Sequence, residues 1–188
     1  MVKREDVHSL IALLSHPDLD VRGSAALGLA EIGKPAVHPL IHALEEEEDA
    51  RSWIAAALGQ IGDEEAIEPL ISLLGEEDAG IRSSATRALG MIGTGTVIGP
   101  LIQALSDENS YVRSGAAFAL GMLQSEQAID PLLTALRDAS KHVRVQAAWA
   151  LSEIGDPRAL YALSQLLQDE DAEVRSAAGT AIRNLQQG

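Results

Sequence analysis

The chain has 188 residues and a formal net charge of −14, which excludes the two partner classes that need a basic surface, nucleic acid and anionic membrane. It has no cysteine, so disulfides and cysteine-ligated metal sites are excluded too, and no run of eighteen apolar residues could span a bilayer. The opening Met1–Asp6 lacks an apolar signal core, so a cytoplasmic location is expected.

Only 3% of residues are aromatic against 46% hydrophobic, so the core must close on Ala, Leu, Ile and Val, which suits thin helical layers. In chain order the helices come in pairs. The first helix of repeat 1 (residues 5–34) is a weak copy opening at Val7, and its second helix follows Asp18 and carries Val21-Arg22. Repeat 2 (35–64) opens with Ala36-Val37-His38-Pro39-Leu40-Ile41 and continues at Ala50-Arg51. Repeat 3 (65–95) has Ala66-Ile67-Glu68-Pro69-Leu70-Ile71 and Ile81-Arg82. Repeat 4 (96–126) has Val97-Ile98-Gly99-Pro100-Leu101-Ile102 and Val112-Arg113. Repeat 5 (127–157) has Ala128-Ile129-Asp130-Pro131-Leu132-Leu133 and Val143-Arg144. Repeat 6 (158–188) opens weakly at Ala159 and carries Val174-Arg175. The arginines are spaced by 29 and then by 31 four times, because the linker and the turn of repeat 2 are each one residue short.

Each first helix is predicted to begin near its proline, whose missing N–H would be unpaired in a first turn anyway. Asp18, Asp78, Asn109, Ser140 and Asp171 precede the second helices and are residue types that accept from free N–H groups there. Gly33, Gly62, Gly93 and Gly155 are predicted to end them, with Gln124 in that place in repeat 4. No linker or low-complexity tract interrupts the series, so residues 1–188 read as one array.

Pro-Leu-Ile and Val-Arg signatures on two helices per roughly 31 residues resemble the HEAT-like repeats named after phycobilin lyases. That resemblance implies an all-α, right-handed α–α superhelix of six two-helix repeats, with the second helices lining a concave side. Some relatives bind two irons through paired His-Glu steps; this sequence has no His-Glu dipeptide, so that chemistry is not expected.

With each arginine as position zero, positions −1, +3, +7 and +10 share a face that stays aliphatic or small and should pack on the first helix. Position +8 reads Ala30, Gly59, Gly90, Gly121, Ser152 and Arg183, small wherever a following repeat must stack. Arg183 breaks that rule and suggests a capping repeat. A third strip, at −2, +2, +5 and +9, differs between copies and holds four of the five aromatic residues. Residues that solve the same packing problem should repeat; residues that vary have another reason to be there. Arg87, Met91, Tyr111, Phe118, Met122 and Trp149 are therefore the predicted centre of a binding surface across repeats 3 to 5. His142 and Gln146 lie on the same strip, and Trp53 is an outlying anchor.

The arginines sit in first helical turns, against the macrodipole, so each needs an acidic or capping partner in its own or an adjacent repeat. His38 and His42 have a zinc-compatible spacing, and His8 holds the place of His38, but a solvent-exposed pair is the simpler reading. Gly93-Thr94-Gly95-Thr96 lacks the lysine and preceding strand of a phosphate loop. No catalytic residue, metal site or cofactor is expected. The predicted function is a non-catalytic scaffold holding another protein, one with a basic rim and an apolar centre to suit the acidic turns, and self-association is possible through the same surface. The alternatives are a bilin lyase subunit or phycobiliprotein-handling factor, and an engineered repeat-protein binder.

Overall fold

A computed structural model describes residues 4–187. Among them there are twelve α-helices and no strand, and the chain falls into two compact units, one through Gly93 and one from Thr94.

The first unit alternates first helices α1 (Arg4–Leu13), α3 (Lys34–Glu46) and α5 (Ile67–Ser72) with second helices α2 (Leu19–Ile32), α4 (Arg51–Ile61) and α6 (Ala79–Ile92). Helix α4 packs on both α2 and α6, and each second helix packs on the first helix of its own repeat. The second unit repeats the plan with first helices α7 (Ile98–Ala104), α9 (Ile129–Ala135) and α11 (Ala159–Leu166), and second helices α8 (Ser110–Met122), α10 (Lys141–Ile154) and α12 (Ala172–Gln187). There α10 packs between α8 and α12.

Two leucine positions form the core between the layers. The leucine after each proline (Leu40, Leu70, Leu101, Leu132) is fully buried, and so is position +7 of the second helices (Leu29, Leu58, Leu89, Leu120, Leu151). Burying each contributes about 1.5–3 kcal/mol, and the strict repeat lets small residues fill the remaining space.

Most of the predicted helix ends hold. The side chains of Asp18, Asp78, Asn109 and Asp171 accept from backbone N–H groups of the following turn. Ser140 occupies the same place but makes no capping side-chain bond. Gly33, Gly62, Gly93 and Gly155 take φ of 71–79°, and Gln124 takes φ 48° in the equivalent turn. The first helices α5, α7 and α9 begin two residues before their prolines, in keeping with the predicted first-turn position. A 3₁₀ turn precedes α5, α7 and α9 (Glu64–Ala66, Gly95–Val97, Glu126–Ala128), which leaves each proline in the first α-helical turn. In α3, Pro35 takes that opening place and Pro39 lies inside the helix.

Candidate partner-binding surface

The varying strip is solvent-facing in both units. In the first unit Arg87 and Met91 are exposed on α6. Trp53, on α4, is half-buried with the Arg22 guanidinium 6.0 Å from its ring centroid, a cation–π distance. Arg22 Nε is buried without a hydrogen-bond partner.

In the second unit the strip forms a groove of about 710 Å³. Phe118 of α8 stacks on Trp149 of α10, with centroids 4.9 Å apart and an interplanar angle of 23°. Gly121 makes room for the indole: a Cβ there would lie 2.7 Å from Trp149 Cζ3. Gln146 and Glu153 extend this wall, and Glu173, Ser176, Thr180 and Asn184 of α12 form the other. Of the predicted residues, the structure thus brings Phe118, Gln146 and Trp149 together. Tyr111, Met122 and His142 are exposed on the same helices but outside the groove lining.

The α12 wall and Glu153 were not among the predicted residues. Their signal was in the sequence, since Thr180 and Asn184 are the sixth-repeat copies of positions +5 and +9, and Glu153 is the fifth-repeat copy of +9.

The arginine ladder is the frame behind this surface. Arg113 pairs through two bonds with Asp138, at 2.7 and 2.8 Å, and donates to the Asp107 and Glu108 carbonyls. Arg144 does the same with Asp169, both bonds 2.8 Å, and the Asp138 and Ala139 carbonyls. In the first unit Arg51 reaches Glu76 at 3.2 Å. The partner acid therefore comes from the turn of the next repeat, as the spacing allowed. The carbonyl contacts were not foreseen; they anchor each guanidinium on the two residues just before the N-cap of its own helix, where carbonyl oxygens offset the positive end of the dipole.

These contacts set the local electrostatics. Burial pushes the Asp138 carboxyl up, but hydrogen bonds from Arg113 and the Ser140 N–H, with the Arg113 charge, outweigh it and hold the group below its ordinary value. The Arg144 hydrogen bond holds Asp169 down against its burial. Glu76, Asp78, Asp169 and Asp171 are all engaged in pairs or caps. The unpaired acidic surface is accordingly smaller than the composition suggests: the Glu45–Asp49 turn is exposed, with Glu46 near His42 and Glu48 near Arg51, and Glu77 and Glu170 are exposed in other turns.

His38 and His42 are exposed, 3.1 Å from Glu65 and 3.3 Å from Glu46. With His8 they line a second cleft. Among the described residues no group of three or more His, Cys, Asp or Glu could hold a metal ion, and no helix is long and apolar enough to cross a membrane.

The profile for HEAT repeats matches residues 37–101 and 98–183, and that for the PBS lyase HEAT-like repeat matches residues 21–46. No curated protein matches the sequence. Among solved structures, YibA of E. coli is similar with a TM-score of 0.80 at 22% identity, over 99% of this chain and 74% of that one. A designed armadillo repeat protein in complex with the peptide (KR)4 gives 0.68 at 21% identity, over 95% and 99%. The complex of CpcE and CpcF of phycocyanin lyase from Nostoc sp. PCC7120 gives 0.64 at 24% identity, over 100% of this chain and 66% of that one. At these identities the likeness is one of fold, an all-α repeat solenoid.

Proposed function

The chain belongs to the HEAT-repeat family, and from that premise we propose that it is a non-catalytic scaffold whose protein partner docks on the exposed strip of the second helices. The observation that carries this reading is the Phe118–Trp149 stack. Two large rings are spent on a groove wall in a chain with only five aromatic residues. The leucine core is already closed without them. A wall of this kind, fixed before the partner arrives, costs little ordering on association.

A pull-down from source lysate, read by mass spectrometry, tests the proposal. The native chain is compared with a Phe118→Ala, Trp149→Ala variant whose helicity is checked by circular dichroism. A protein captured by the native chain should be lost by the variant, since truncated hot-spot residues cost about 2 kcal/mol or more each. Equal capture by both would defeat the groove assignment. The bilin lyase reading is checked with the same protein by adding a linear tetrapyrrole and recording whether a coloured complex forms.

A further inference from the structure

Glu153 stands one turn beyond Trp149 on α10, half-buried in the groove wall. Among the described residues it makes no ion pair and no side-chain hydrogen bond. Its counterpart across the groove, Glu173, is already 3.5 Å from Lys141. No lysine or arginine lines the groove, and the nearby Arg183 guanidinium is turned onto Thr180, at 3.0 Å. The repeat frame does not demand a carboxylate here: the same position carries Glu31 in repeat 1 but Gln60, Met91, Met122 and Asn184 in the other copies.

A free carboxylate four residues from an indole on one helix lies on the same face of that helix. A single flat cation can then serve both groups, stacking on the ring and pairing with the carboxylate. Guanidinium suits this better than ammonium, because it is planar, weakly hydrated and forked to match two carboxylate oxygens. The indole is held in place by Phe118 and by the missing Cβ of Gly121, so the cation meets a fixed surface. The net charge of −14 draws basic segments toward the molecule.

We propose that this groove takes an arginine side chain from a basic, extended segment of the partner, its guanidinium stacked on Trp149 and paired with Glu153. The proposal rests on the scaffold reading and specifies the chemistry of its partner.

The test uses the full chain and a fluorescein-labelled, acetylated octapeptide of alternating arginine and alanine, with binding followed by fluorescence anisotropy. A citrulline version keeps the shape and removes the charge. The arginine peptide should bind, and the citrulline peptide should bind at least about tenfold more weakly. Glu153→Gln should weaken the arginine peptide by about tenfold and leave the citrulline peptide unchanged. Glu47→Gln, the same charge change in an exposed turn, should leave both unchanged. No binding of the arginine peptide, equal binding of the citrulline peptide, or equal losses in Glu153→Gln and Glu47→Gln would each overturn the proposal, the last by showing only general acidic attraction. The two readings fail separately. If the Phe118→Ala, Trp149→Ala variant loses its captured protein while Glu153→Gln retains it, and the peptide results are negative, the scaffold stands and the arginine subsite falls.

Discussion

At the scale of single residues, glycine does opposite jobs in this chain. Gly59 lies against Ala88, and Gly121 against Ala150; a Cβ added at either would meet backbone at 2.6 or 2.7 Å. Helix propensity alone favours Ala over Gly by about 1 kcal/mol. The close approach should reverse that sign, so Gly59→Ala and Gly121→Ala are expected to lower stability by about 1–3 kcal/mol in urea unfolding. Gly75 has open space around it and an ordinary φ, so Gly75→Ala should be neutral or slightly stabilising. Gln124 is the converse case, a side chain forced to φ 48° where other repeats use glycine. Gln124→Gly should raise stability by about 0.5–1 kcal/mol, because a left-handed backbone costs an L residue more than the extra chain entropy of glycine. A loss there would mean that the Gln124 side chain contributes something the turn geometry does not reveal.

At the scale of elements, the ladder ties one repeat to the next. Arg144 is buried and joins two turns, whereas Arg175 is exposed and meets only the Asp169 and Glu170 carbonyls of its own repeat. Arg144→Ala leaves Asp169 without its counter-ion and should cost about 3 kcal/mol; Arg175→Ala should cost about 1 kcal/mol. Equal losses would mean that the carbonyl contacts, not the ion pair, carry the ladder. The same pairs set an acid limit. Asp138 and Asp169 have folded-state pKa values held below the unfolded value, so their contribution is complete above the ordinary carboxylate range. It is lost as pH falls through that range toward the folded values. Thermal unfolding followed from pH 6 downward should show the midpoint dropping from about pH 4, and Asp169→Asn should flatten part of that drop. Much of this was legible in the sequence. The caps, the glycine turns and the acids six places before Arg82, Arg113, Arg144 and Arg175 all recur in register, because each copy meets the same backbone problem. The Phe118–Trp149 stack and the unpaired Glu153 could not be read that way. Both depend on how far apart α8, α10 and α12 sit and which rotamers fit between them, and a helical wheel drawn for one helix does not contain that distance.

At the scale of the whole molecule, charge and packing pull in different directions. Twenty-eight acidic residues face fourteen basic ones, and several of the basic ones are committed to the ladder. The excess repels itself across an exposed surface, and salt screens such exposed charges within about 10 Å at 0.1 M. The ladder pairs are mostly out of solvent, with Arg144 and Asp169 each 10% exposed, and should be screened much less. Salt should therefore remove more repulsion than attraction. The expected outcome is a Tm that rises between about 0.01 M and 0.15 M sodium chloride. Over the same range the association rate of a basic peptide should fall, since the field that destabilises the folded chain is the field that steers a cation toward it. A Tm that fell with salt would show instead that exposed pairs, such as Lys34 with Asp63 and Lys141 with Asp171, outweigh the net repulsion.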